Sequence, residues 1–156
     1  MISSCLVIVP SGKKKIWDKH PEAGPCPAKQ AYGSTLNKKG RAYAEANGHD
    51  WVILSGKAGF LLPDDVVPGN YDVSFGTSHP DLISLPELYK QSIEKDLQKY
   101  EEIIVLAGKK FIPVMDYLFV RQNVVFPLNG CRGIGEMLQQ LDKWTFEAMK
   151  IHKAAD

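Results

Sequence analysis

The sequence lacks the features that would place a protein at once in a secreted, zinc-binding or membrane class. Its three cysteines, Cys5, Cys26 and Cys131, are widely and irregularly spaced, which matches neither a disulfide framework nor a zinc motif. No apolar run approaches the ~20 residues that span a bilayer. The segment before Pro10 lacks the basic start of a signal peptide. These absences predict a reduced, cytoplasmic protein with no membrane partner.

The sequence also lacks a charge imbalance, since it has 19 basic and 18 acidic residues and a net charge of +1. The overall charge therefore implies no polyanion partner, although a local basic patch stays open. The four histidines fall in unrelated segments without ligand spacing, and no G-x-S-x-G motif occurs. We expect no metal and no cofactor. The sequence does not specify an oligomeric state.

Short apolar runs alternate with helical patterns along the chain. Four such runs predict buried strands: 5–9, 51–54, 103–107 and 123–127. With helices between them and a length of 156 residues, the chain predicts one domain, 1–156, of three-layer α/β type. The sheet is expected to be mainly parallel with helices on both faces. In such sheets ligands bind outside the carboxyl ends of the strands.

The first candidate site is the turn SGKKK, residues 11–15, which follows the first predicted strand. Glycine allows close backbone approach and lysine favours an anion, so Ser11, Gly12 and Lys13 are candidate anion-binding residues. The turn lacks the earlier glycine and the Ser or Thr of a P-loop. A solvated surface turn is the alternative interpretation.

The second candidate is SGKAGFLLPDD, residues 55–65, which leaves the second predicted strand. Ser55 and Lys57 would contact an anion, and Asp64 would act as a general base emerging after Pro63. The alternative is a surface turn whose aspartates only cap backbone N–H groups or lie in solvent.

Hydroxyl and carboxylate groups elsewhere add further candidates. Tyr32 and Ser34 could contact a ligand through hydroxyls or ring stacking, or Tyr32 could simply pack against the sheet. Tyr71 and Asp72 could supply a ligand contact and a second catalytic carboxylate, or could lie on a solvent-facing edge strand.

These motifs together carry a resemblance. The segments PAKQAYGS, WVILSGKAGFLLPDD and YDVSF resemble a family of small prokaryotic and phage domains of unknown function, described as similar to the peroxide-stress protein YaaA. That family has the pattern W-x-I-L-S-A-K-x-G-L-x-x-P, from which this chain departs at Gly56, where alanine is usual. A similarity to the uracil-DNA-glycosylase architecture implies a four-stranded parallel sheet in the order 2-1-3-4.

Two functions follow as hypotheses. The first is an enzyme that processes a nucleotide or nucleobase by cleaving an N-glycosidic bond, with lysines 13 and 57 on phosphate, Tyr32 on a base, and Asp64 or Asp72 activating water. The second is a non-catalytic protein that binds a nucleotide or nucleic acid in a stress or phage-conflict setting, with the same lysines. Substitution of Asp64 separates the two.

Overall fold

The computed structural model describes the backbone of residues 4–155 and the side chains of residues 4–151. Its strands are β1 (Cys5–Pro10), β2 (Cys26–Pro27), β3 (Asp50–Ser55), β4 (Gly59–Leu61), β5 (Val66–Val67), β6 (Glu102–Val105) and β7 (Asn123–Val125). Its helices are α1 (Ile16–Lys19), α2 (Ala28–Ala31), α3 (Thr35–Ala46), α4 (Leu85–Glu94), α5 (Ile112–Leu118) and α6 (Ile134–Ala155). Within the described backbone, no helix is both long enough and apolar enough to cross a membrane.

The main sheet has five strands in the order β4-β3-β1-β6-β7. Strands β3, β1, β6 and β7 are parallel, whereas β4 pairs antiparallel with β3. The α/β class with a mainly parallel sheet is therefore confirmed, but the expected four-stranded sheet in the order 2-1-3-4 is not matched. The extra strand arises because Gly59, at φ 76°, closes a tight turn that returns Phe60 and Leu61 along β3.

Helices cover both faces of the sheet, and β1 shows why its sequence is continuously apolar. Leu6 and Ile8 belong to the core beneath α4 and α5, which contribute Leu88 and Met115 among others. Val7 and Val9 belong to the opposite core, beneath α3 and α6. Successive side chains of a strand point to opposite faces, so a central strand buries every residue. Each such burial contributes roughly 1.5–3 kcal/mol to folding.

A third apolar cluster lies beside β3 and supports the loops near the site. Trp17 and Tyr32 pack there with Ile53 and Val67. Strands β2 and β5 form a separate two-stranded antiparallel sheet, and the backbone of Lys15 bridges that of Tyr32. This small layer fixes the chain on either side of the ligand-facing loops.

Candidate functional site

A cleft of about 270 Å³ opens at the carboxyl ends of β1, β3 and β6. Four stretches supply most of its lining: Pro10–Lys13 with Lys15, Leu54 with Gly56, Asp72–Phe75, and Ala107 and Gly108 with Lys110 and Phe111. This is where a parallel α/β sheet is expected to bind its ligand. Loops after β1, β3 and β6 meet here, whereas the loop 127–133 after β7 does not line the cleft.

The turn after β1 is built against the start of α3. Gly12 has φ 72°, and a Cβ atom on it would lie 2.6 Å from Ser34 Oγ. Ser34 Oγ is itself the N-cap of α3 and accepts a hydrogen bond from Asn37 N at 3.2 Å. Ser11, Gly12 and Lys13 line the cleft, as the sequence led us to expect, whereas Ser34 acts as a helix cap behind it.

Lys15 is a cleft residue that the sequence analysis did not single out. Its side chain is buried, and its Nζ donates a hydrogen bond to the Lys13 carbonyl at 3.1 Å. Burial lowers the pKa of Lys15, and the charges of Asp18 and Asp72 oppose that shift. The backbone bridge to Tyr32 turns this lysine inward, and three consecutive lysines gave no sign of which one would be buried.

A chain of hydroxyl groups fixes Tyr71 at the border of the cleft. The Tyr71 hydroxyl is hydrogen-bonded to both the Tyr32 hydroxyl and Ser55 Oγ. Ser55 Oγ also accepts from the backbone N–H groups of Lys57 and Ala58. Burial raises the pKa of Tyr32 and of Tyr71, so both phenols stay protonated. Tyr32 is only 1% exposed, so it and Ser55 hold Tyr71 in place rather than face a ligand.

Asp64 is not where its sequence context suggested. Because β4 runs antiparallel to β3, the chain beyond it returns towards the amino end of β3, away from the cleft. The Asp64 carboxylate is 83% exposed and pairs with Lys29 Nζ at 2.8 Å. The neighbouring Asp65 pairs with Lys95 at 2.7 Å. The expectation that Asp64 faces the cleft is therefore corrected.

Asp72 supplies the carboxylate of the cleft. Its segment has no regular secondary structure, so it does not form the edge strand considered from the sequence. The segment reaches the cleft by crossing Gly56, on which a Cβ atom would lie 2.4 Å from the Val73 carbonyl oxygen. Lys13, Lys15 and Lys110 line the same cleft, so one aspartate shares the cleft with three lysines.

Lys57 lies beside the cleft rather than in it. It lines an adjoining cavity of about 460 Å³ together with Ala58 and residues 67–71. No group of three His, Cys, Asp or Glu side chains is arranged to hold a metal ion within the part of the chain that the structure describes. Within the described residues, the lining of the cleft combines lysines with one aspartate, and this combination suits an anionic ligand.

Comparison with known proteins places the chain in a family. Residues 7–143 match a family of unknown function, DUF6884. The chain belongs to this family. The uncharacterized protein YfjM of Bacillus subtilis (strain 168) is 47% identical over 139 residues, which cover 88% of this chain and 93% of YfjM. The expected membership of an uncharacterised domain family is confirmed, and the region shared with DUF6884 contains every residue that lines the cleft.

Proposed function

We propose that this cleft binds a nucleotide and that Asp72 promotes hydrolysis of its N-glycosidic bond. The observation that carries the proposal is the convergence of Lys13, Lys15 and Lys110 with a single carboxylate at the carboxyl end of a parallel sheet. The lysines would bind phosphate. Phe75 and Phe111, whose ring centroids are 5.3 Å apart, line the same cavity and give a base an apolar wall.

Hydrolysis of the N-glycosidic bond would need few protein groups beyond these lysines and the carboxylate. The bond between the sugar C1′ and the base nitrogen breaks, and its electron pair leaves with the base, so positive charge develops on the sugar. The Asp72 carboxylate would stabilise that charge and accept a proton from the attacking water. We infer base release as the reaction from the sequence resemblance to the uracil-DNA-glycosylase architecture alone, since the YaaA-like domains are of unknown function and specify no reaction.

A second function, binding without catalysis, is favoured by the surroundings of Asp72. Its side chain is exposed, and its charge acts on the buried Lys15 ammonium. In this alternative Asp72 only offsets the positive charge of the cleft, and removing its charge strengthens anion binding.

The experiment compares Asp72→Asn with Asp64→Asn, which is a matched control because Asp64 is an exposed carboxylate outside the cleft. Mass spectrometry measures free base released from nucleoside monophosphates and from DNA with and without uracil, and calorimetry measures binding of the same ligands. We expect base release by the wild type and by Asp64→Asn, loss of release in Asp72→Asn, and weaker binding in Lys13→Ala.

Each alternative result has a distinct meaning. Nucleotide binding with no base release by the wild type, and tighter binding by Asp72→Asn, would establish the non-catalytic function. Binding that is unchanged in Lys13→Ala and Lys110→Ala would exclude this cleft as the nucleotide site.

A further inference from the structure

Tyr71 holds two lysine ammonium groups that belong to different cavities. Lys15 Nζ lies 4.7 Å from the centroid of the Tyr71 ring, and Lys57 Nζ lies 5.7 Å from it. Lys15 lines the cleft, whereas Lys57 lines the adjoining cavity. Both distances are within the range of cation–π attraction, so one ring positions two cations.

The spacing of these two cations is held by the core. The Tyr71 hydroxyl is anchored by Tyr32 and by Ser55, and both of those side chains are fully buried. Ser55 lies at the end of β3 and Tyr32 follows α2, so the ring is tied to two separate elements. A ring held in this way offers both ammonium groups a fixed contact.

The cavities on the two sides of Tyr71 are neighbours along one surface. Asn70 and Tyr71 line both the Lys57 cavity and a second cavity. The rest of the second cavity is lined by two lysines and two aspartates: Lys13, Lys15, Asp18 and Asp72. Lys13 and Asp72 in turn line a third cavity, together with Ser74 and residues 77–79. Because neighbouring cavities share lining residues, we treat the cleft and these three cavities as one trough.

The lining of the Lys57 cavity differs from that of the cleft. It combines one ammonium group and the Asn70 side chain with the apolar surfaces of Ala58, Val67 and Pro68. A cation beside an apolar wall suits a phosphate followed by a sugar and a base. Proteins that bind single-stranded DNA or RNA repeat this combination along a groove. Their cations contact the phosphates, and their apolar or aromatic surfaces contact the bases.

We infer that Lys57 forms a second phosphate subsite and that the ligand of the trough is a single-stranded nucleic acid, whose neighbouring phosphates contact Lys15 and Lys57. This inference rests on the proposed function, because the first phosphate occupies the cleft. A free mononucleotide has no group for the second subsite. A strand supplies one in each repeat, and its unpaired nucleotides can enter cavities of this size.

The test measures the affinity of the whole chain for a nucleoside monophosphate, a 5′-phosphorylated dinucleotide and a ten-nucleotide strand, each at several salt concentrations. The variants are Lys57→Ala, Lys57→Arg and the control Lys39→Ala, whose ammonium pairs with Asp142 between α3 and α6. Circular dichroism confirms that each variant is folded.

We expect the wild type to bind the dinucleotide about tenfold more tightly than the monophosphate, which is the factor given by one charge-assisted hydrogen bond. Lys57→Ala should lose that gain and leave monophosphate affinity unchanged. In Lys57→Ala, the slope of the logarithm of the strand's binding constant against the logarithm of salt concentration should become shallower by about 0.7, the value of one phosphate contact. Lys57→Arg should restore the gain, and Lys39→Ala should resemble the wild type.

Equal affinities for monophosphate and dinucleotide, or a gain that survives Lys57→Ala, would overturn the second subsite. If monophosphate binding still depended on Lys13 in that case, the proposed function would stand alone. If the dinucleotide bound more tightly than the monophosphate but the ten-nucleotide strand bound no more tightly than the dinucleotide, the ligand would be a small molecule with two phosphates. That result would overturn the inference of a single-stranded nucleic acid. If none of the ligands binds, both proposals fail.

Discussion

Gly56 is the point at which the end of β3 most closely approaches the segment that carries Tyr71 and Asp72. An added Cβ atom would lie 2.4 Å from the Val73 carbonyl oxygen and 2.9 Å from its carbonyl carbon, whereas ordinary contacts begin at 3.4 Å. Both atoms belong to the backbone, so no side-chain rotation relieves the contact. Gly56→Ala therefore has to push the Val73 segment outward by about 1 Å, a rearrangement that typically costs 1–3 kcal/mol.

The effect of Gly56→Ala can be measured as stability and as function. For a chain of this length, about 2 kcal/mol lowers the melting temperature by about 4–8 °C. Because Asp72 moves with its neighbour, base release should fall by about a hundredfold, the typical effect of a 1 Å misplacement. The control is Gly130→Ala, since nothing lies within 4 Å of a Cβ atom there.

Equal melting temperatures and denaturation midpoints for Gly56→Ala and Gly130→Ala would refute the close approach. The substitution has added interest because alanine is usual at this position in the domains that the sequence resembles. Those domains must therefore carry the segment that corresponds to Val73 further from the sheet.

Two further predictions concern the support of the sheet. Gln91 accepts a hydrogen bond from Phe60 N at 2.8 Å and donates one to the Ala58 carbonyl at 3.0 Å, so Gln91→Leu should lower the free energy of unfolding by about 2 kcal/mol in urea denaturation. An unchanged midpoint would show that β4 does not need this amide. Burial, and then the charge of Glu102, raises the pKa of Cys5 from 9.0 to about 11. The thiol therefore stabilises the fold fully below pH 9, and this contribution is lost as the pH rises towards 11. The stability difference between the wild type and Cys5→Ala should shrink over that interval, and a constant difference would contradict the shift.

The parallel strands could be predicted from the sequence because their residues obey a local rule. A central strand in a three-layer fold is buried on both faces, and β1 and β6 accordingly show short, continuous apolar runs. The position of the cleft followed from the same inference, since the carboxyl ends of parallel strands share one edge of the sheet. Ser11, Gly12 and Lys13 were identified in this way.

The path of the chain after β3 could not be predicted in the same way. The sequence predicts that Asp64 emerges after Pro63 as a general base of the site, whereas Phe60 and Leu61 pair with β3 and reverse the chain before it. A three-residue apolar run is too short for its periodicity to distinguish a returning strand from a packed loop. Only the left-handed turn at Gly59 decides between them, and so Asp64 was misplaced.

Hydroxyl groups posed a different difficulty, because their roles depend on partners that are distant in the sequence. Ser55 was expected to contact an anion, and Tyr32 either to contact a ligand or to pack against the sheet. Both contact Tyr71, which lies 16 residues from Ser55 and 39 from Tyr32. Nothing local to either residue indicates that contact. The sequence singled out all three residues, but it could not show that two of them support the third.

The near-neutral net charge of the chain also gave no indication that the cleft is positively charged. Several carboxylates are paired with lysines elsewhere on the surface, among them Asp64 with Lys29 and Asp142 with Lys39. Among the described residues, the ion pairs involve neither Lys13 nor Lys110. Because charge attracts a ligand through local potential rather than through the total, a chain of net charge +1 can still present a positive cleft. Anion binding at this cleft should therefore weaken with added salt, although the whole chain has almost no net charge to screen.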